Sequence, residues 1–316
     1  LAPPTLGEFS RISRYFAPLA GPEALALQDD AAVLAPPPGR ELVLTVDQMI
    51  EGVHFLPHDA PDLIARKLLR RNLSDLAAMG AEPLGYLLTT ALPKSVGDDW
   101  LKNFTEGLQV DQEAFGLSLF GGDSSSSLSH ISFTATLIGH VAPGHALRRN
   151  GARAGDEIWV TGTIGDAALG LRARRGELPD STGFLTQRSL LPTPRMGLKL
   201  NDIATAAIDI SDGLLQDLGH ICAASGVRAI IRAELVPTST AAASFGNAVL
   251  EARLTDGDDY ELLLAVPPGS GEELRRACGD LRVTRIGHFE AGESSVEVLD
   301  AKGNKIQFTK NGWTHF

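Results

Sequence analysis

The chain has 316 residues, a length that suits two cores better than one. Its 43% hydrophobic and 21% charged residues are those of an ordinary globular protein. A formal net charge of −11 argues against nucleic acid or an anionic membrane as the main partner, though not against a phosphate substrate, because bound metals invert the local field.

The two cysteines, Cys222 and Cys278, stand far apart and outside any CxxC spacing. Neither a disulfide framework nor a zinc site is expected, and a reducing cytoplasm fits. The opening LAPPTLGEFSRISRYF has no apolar core of signal-peptide length. No stretch approaches the ~20 apolar residues of a membrane helix.

Phe9, Ile12 and Phe16 recur at helical spacing, so a short helix is expected over 6–16. AAVL at 31–34 reads as a strand. Leu42, Val43 and Leu44 form a strand-type run that ends in Thr45, Val46 and Asp47. Residues 59–80 give the clearest helix, with Pro61 in its first turn and Gly80 as a stop. Asn72 and Asp75 lie at the edge of its apolar stripe, which predicts a partly buried Asp75. Strands are expected at 85–92, 117–120 and 131–141, with a helix over 100–115. Gly121-Gly122-Asp123 and four serines follow the second of these strands.

The basic, Gly-rich segment 143–155 suggests a boundary, giving domains 1–144 and 145–316. The second half reads as strand 157–160, a loop into a helix at 166, and an irregular Pro-punctuated stretch over 179–194. Strand 205–210, the turn Ser211-Asp212-Gly213 and a helix over 214–224 follow, with Gly226 where a helix end favours glycine. Strands at 227–231, 261–266, 283–286, 296–299 and 306–308, with a helix over 272–278, complete a sheet. Strict βαβ alternation is absent, so the fold class is α+β rather than doubly wound.

Acids recur beside apolar runs: Asp29, Asp30, Asp47, Asp75, Asp123, Asp209, Asp212, Asp256, Asp258 and Asp259. Burying that many carboxylates is costly unless positive charge arrives from outside, as magnesium and a magnesium–nucleotide complex. Each acid alone has a plainer reading. Asp47 can cap a turn, and Ser211 or Asp212 can cap the following helix. Gly121-Gly122-Asp123 can be a tight turn or a phosphate cradle. There is no GxxxxGK[ST] and no GxGxxG after a strand. Arg148 and Arg149 lie in a loop, where arginines are commonly solvated and can also clamp phosphate. His54 and Trp313 are equally open to structural readings.

Taken in order and spacing, several segments resemble the thiamine-monophosphate kinases of the ATP-using aminoimidazole ribonucleotide synthetase superfamily. They are GEF at 7–9, DDAAVL at 29–34, EGVHF at 51–55, NLSDLAAMGAEP at 72–83 and GGD at 121–123. VTGTIGD at 160–166, IDISDGL at 208–214, DDYEL at 258–262 and GWTHF at 312–316 continue the series. The resemblance implies transfer of the γ-phosphoryl of ATP to thiamine monophosphate, giving thiamine diphosphate; since a phosphomonoester oxygen is already anionic at neutral pH, direct in-line attack with no general base is expected. It implies Mg²⁺ ligands at Asp30, Thr45, Asp47, Asp75, Asp123, Asp209 and Asp212. It implies ATP contacts at Gly122, Asp123, Arg149 and Ser211, and thiamine-substrate contacts at His54, Asp258 and Trp313. It further implies a homodimer that pairs N-terminal sheets, an ATP- and Mg-binding first domain, and a second domain that completes the site.

Four positions depart from the family pattern: Gln28 for Gly, Val46 for a metal-binding Thr or Ser, Thr105 for Tyr, and Asp258 for Glu. Selenophosphate and hydrogenase-maturation relatives need reactive terminal cysteines that this chain lacks. The remaining alternatives are another ATP-using enzyme of the superfamily and a non-catalytic nucleotide or thiamine-phosphate binding protein of the same fold.

Overall fold

In this computed structural model residues 6–314 are described. They form two units, one of residues up to 76 with 81–143, the other of 77–80 with 144 onward. Each combines helices with a largely antiparallel sheet, so the α+β expectation holds.

The first unit opens with α1 (Glu8–Arg11), which continues as irregular helical turns to Leu27. Its sheet holds β1 (Glu41–Ile50), β2 (Glu82–Pro93), β3 (Ser118–Ser127) and β4 (Ser132–Val141) in the order β1-β4-β2-β3. Strand periodicity explains its two faces. Met49, Tyr86, Phe133, Ala135 and Leu137 point to the buried side. There Trp100 and Phe104 of α3 (Asp98–Phe115) stack on Phe133, with ring centroids 6.1 and 4.4 Å away. The apolar stripe of α2 (Pro61–Ala78), Leu68, Leu69, Leu73 and Leu76, is fully buried. On the other face Leu42, Leu44 and Val46 are exposed at every second position of β1.

The second unit is built on six strands: β5 (Glu157–Thr161), β6 (Ala206–Asp209), β7 (Arg228–Arg232), β8 (Leu262–Val266), β9 (Val283–Glu290) and β10 (Ser295–Leu299). Their order is β10-β7-β9-β5-β8-β6, and only β10 and β7 pair in parallel. Ile158, Val160 and Ile208 pack on one side with Leu214, Leu218 and Ile221 of α6 (Leu214–Ser225). Trp159, Ala207 and Leu264 pack on the other with Leu274 and Cys278 of the helix Gly271–Cys278. Smaller helices are Asp166–Arg174 (α4), Phe184–Leu190 (α5), Thr240–Ala243 and Leu250–Thr255.

Several expected elements differ. Residues 31–34 are not a strand; the segment runs free of the sheet, with Val33 N–H donating to Glu23 C=O. β1 does not end at Asp47 but continues to Ile50, so Thr45 and Asp47 are mid-strand on its helix-facing side. β3 likewise runs through Gly121-Gly122-Asp123 and the serines, with a bulge at Phe120 opposite β2. The irregular stretch contains helix α5, and 306–308 is not a strand: Lys305 makes an isolated bridge to Leu299, and Ile306 N–H donates to Val298 C=O.

Candidate functional site

Four groups of the expected site residues are each built by their own elements. The first is a strand–helix ladder in the first unit. Thr45 Oγ1 donates to Asp75 Oδ2 at 2.5 Å, and Arg71 Nε faces Asp47 Oδ2 at 3.6 Å. Alternation on β1 places Thr45 and Asp47 on one face. One helical turn places Arg71 and Asp75 on the matching face of α2. Asp75 is half-buried, as its place on the wheel predicts. Val46 points the other way, 60% exposed, so it cannot stand in for Thr45 beside these acids.

The second group lines a cleft of about 670 Å³, also within the first unit. Asp29, Asp30, Gly122 and Asp123 contribute to it, with Leu87 and Ile138 as apolar floor. The volume falls within the roughly 300–1,000 Å³ of small-ligand sites. Gly122 is not a turn residue. A Cβ there would lie 1.8 Å from Leu88 C=O, so only glycine allows β3 to approach β2 this closely. Thr105 does not reach this cleft. It is buried in α3, where its hydroxyl donates back to Leu101 and Lys102 carbonyls.

The third is His54, held by its own turn. Ile50 N–H donates to its Nδ1 at 3.0 Å, which leaves Nε2 as the donor of the neutral ring.

The fourth group lies in the second unit. Asp209 ends β6 and is 3% exposed. Beyond it Gly213, at φ +125, is the N-cap of α6, so neither Ser211 nor Asp212 caps the helix through its side chain. Asp217 does that work in reverse: its Oδ2 accepts N–H bonds from Ser211, Asp212 and Gly213 at 3.0–3.1 Å. The loop then gathers two residues expected to meet the thiamine substrate. Asp258 N–H donates to Ser211 C=O and Trp313 N–H to Asp212 C=O, both at 2.9 Å. Gln216 Nε2 bridges Asp212 Oδ2 and Trp313 C=O. Trp313 is 52% exposed. His315 and Phe316 of the closing motif lie outside the described residues. Arg149 is exposed on a short helical turn whose backbone carbonyl accepts from Ser225 Oγ.

The sequence reading missed Asp217 and His220. Ligand atoms of Asp212, Asp217 and His220 lie within 4.8 Å of one another. Burial, with the Asp212 charge beside it, pushes Asp217 up to about 7 against the pull of its N–H donors. An acid in the first turn after Ser-Asp-Gly was the available signal. The donor chemistry of the expected set fits a hard cation: carboxylates and the Thr45 hydroxyl, with no thiolate, and His220 adds one imidazole beside it.

The segment that carries Asp258 is unusual. Asp258 and Tyr260 adopt φ of 72° and 52°, a left-handed backbone that L-residues disfavour. The residues between and after them are anchored. Asp259 accepts from Gly165 and Ala167 N–H at the start of α4, and Glu261 is clamped by Arg188 and Arg195. Burial pushes Asp259 up to about 8, while Arg188 and the Gly165 N–H oppose it. An acid whose folded pKa is raised binds a proton more tightly when folded. Its contribution is therefore complete below about 4, its unfolded value, and is lost as pH rises toward about 8. The urea midpoint should fall between those limits and level off above them, and Asp259→Asn should flatten the fall. An equal slope in the variant would contradict this.

Comparison with known proteins supplies a family. Residues 28–141 match AIR synthase related protein, N-terminal domain, and residues 153–300 match the C-terminal domain of the same name. A thiamine-monophosphate kinase of Caulobacter vibrioides is 41% identical, covering 99% of this chain and 92% of that one. Among solved structures, thiamine-monophosphate kinase from Stenotrophomonas maltophilia K279a superposes with a TM-score of 0.84 at 38% identity, covering 96% of this chain and 99% of that one. AaThiL complexed with AMPPCP and TMP superposes at 0.77 with 32% identity, covering 98% and 97%.

Proposed function

The chain belongs to the thiamine-monophosphate kinase family, and we propose that it transfers the γ-phosphoryl of ATP to thiamine monophosphate, giving thiamine diphosphate. The observation that carries this is identity of 41% over 99% of the chain to a protein named for that activity. The solved relative bound to an ATP analogue and TMP supports both substrates.

The chemistry suits the residues. A phosphomonoester has its second pKa at about 6, so at neutral pH the attacking oxygen is already anionic and no side chain need remove a proton. The obstacle is repulsion between two polyanions. Magnesium bound by Asp30, Thr45, Asp47, Asp75, Asp123, Asp209 and Asp212 would supply the neutralising charge. Gly122 and Asp123 line the cleft of the first unit, where the phosphates of ATP would lie, and Gly122 lets β3 pack this closely on β2 there. Arg149 and Ser211 supply further ATP contacts. His54 and Asp258 orient the second substrate. The exposed indole of Trp313 offers its face to the thiazolium cation.

Incubation with ATP, Mg²⁺ and thiamine monophosphate should yield thiamine diphosphate, with inversion at a chiral γ-phosphorus. Retention would point to a phospho-enzyme. No product, with both ligands still binding, would favour a non-catalytic binding protein. Trp313→Ala should raise KM for thiamine monophosphate about tenfold, more than for ATP, since a desolvated cation–aromatic contact is worth up to about 2 kcal/mol. An unchanged KM removes the stacking role.

Residues 1–144 then serve ATP, magnesium and dimerisation, and 145–316 complete the active site with Arg149, Asp209, Ser211, Asp212, Asp258 and Trp313. The apolar outer face of β1, with Leu42, Leu44 and Val46 exposed, supports a homodimer that pairs two such sheets. A monomer in sedimentation velocity would overturn that. No helix among the described residues is long and apolar enough to cross a membrane. A cytoplasmic location fits both free, buried cysteines.

A further inference from the structure

Arg71 stands within the ladder that β1 and α2 share, beside three acceptors assigned to magnesium. Its side chain is 11% exposed, and its Nε lies 3.6 Å from Asp47 Oδ2. It precedes Asp75 by one helical turn on the same face of α2. A guanidinium does not lose its proton in a protein, and burial of that charge is tolerated only against negative charge. At Nε the separation exceeds the roughly 2.7–2.9 Å of a charge-assisted hydrogen bond, so that atom meets Asp47 as an ion pair.

A divalent cation that takes Asp47 and Asp75 must therefore share Asp47 with a positive charge already in place. We propose that Arg71 is a built-in competitor for the metal at this cluster. It neutralises Asp47 while no metal is bound, and it sets a weaker metal affinity than the two carboxylates and Thr45 would give alone. The inference rests on the reading that Thr45, Asp47 and Asp75 hold magnesium, and it adds a residue that tunes that occupancy. Like charges a few ångströms apart at a partly buried site repel by well over RT, and swinging of the guanidinium toward solvent relieves part of this.

The test is calorimetric titration of Mn²⁺ into the full chain without nucleotide, read at the site that Asp75→Asn abolishes. Arg71→Met keeps the apolar stem and removes the charge. It should bind Mn²⁺ about tenfold more tightly than the wild type, a change of about 1.4 kcal/mol. Arg71→Lys keeps the charge and should stay close to the wild type. Unchanged or weaker binding by Arg71→Met, with a native circular dichroism spectrum, overturns the competition. If Arg71→Met does not fold, Arg71→Gln should show the same tightening, and its absence there overturns the proposal equally. Should Asp75→Asn bind Mn²⁺ as the wild type does, the metal reading falls and the competition with it.

Discussion

Glu261→Gln should destabilise the second unit by about 3–5 kcal/mol, the cost of leaving buried charge without its partner. Glu261 is fully buried. Its carboxylate accepts from Thr161 Oγ1 at 2.7 Å, Arg188 Nη2 at 3.1 Å and Arg195 Nε at 2.6 Å, with a second contact to Arg195 Nη2. Both guanidiniums are themselves largely buried, at 12% and 17% exposure. Glutamine has nearly the same shape but brings an NH₂ donor to face donors and removes the counter-charge. Gly162, at φ +57, shows how closely the chain is fitted here: a Cβ would lie 2.1 Å from Glu261 Oε1. The consequence extends to the substrate side. Glu261 C=O accepts from Ile210 N–H, Ile210 C=O from Tyr260 N–H and Ser211 C=O from Asp258 N–H. The left-handed Asp258 and Tyr260 are held by these bonds and by the buried acids at 259 and 261. Urea unfolding at fixed pH measures the loss, with Arg195→Met as the reciprocal variant. A change below about 1 kcal/mol would mean that the arginines find other partners.

What was legible in the sequence followed from local signals. The helix expected over 214–224 runs over 214–225, because the Ser-Asp-Gly turn and Gly226 mark its ends; Leu214, Leu218 and Ile221 form its buried face. The continuous apolar run Ile158, Trp159 and Val160 marks β5, which is buried on both faces. Residues 31–34 have strand composition but no strand beside them, and pairing is not a local property. Gly121 and Gly122 suggested a turn, yet glycine also permits the bulge and close strand approach found here. Prolines hid helix α5, since Pro179 and Pro192 flank it without entering it. The acids at 47, 75, 212 and 258 were visible as a pattern. Asp217 was not, because it acts through three backbone N–H groups and carries no motif of its own. Arg71 reads from sequence as a solvated charge on a helix. Only the fold shows that its face of α2 lies against β1.

Asp212→Asn should lower kcat for thiamine diphosphate formation by on the order of 10²–10³-fold while leaving the fold intact. The substitution separates charge from shape. Asp212 N–H still donates to Asp217, and its C=O still accepts from Trp313, because both are backbone groups. The side-chain oxygen that accepts from Gln216 Nε2 at 3.0 Å also survives. What disappears is one negative charge beside Asp217, a carboxyl already pushed up to about 7 by burial and by Asp212 itself. Relieving that repulsion should hold or slightly raise the unfolding midpoint, so lost activity cannot be put down to lost structure. KM for thiamine monophosphate should change little, since the Trp313 anchor is untouched. The result then contrasts with Trp313→Ala, which moves KM and spares kcat. Asp212→Asn activity within threefold of the wild type would remove Asp212 from the magnesium set, and with it the claim that this loop carries charge to the transferring phosphoryl group.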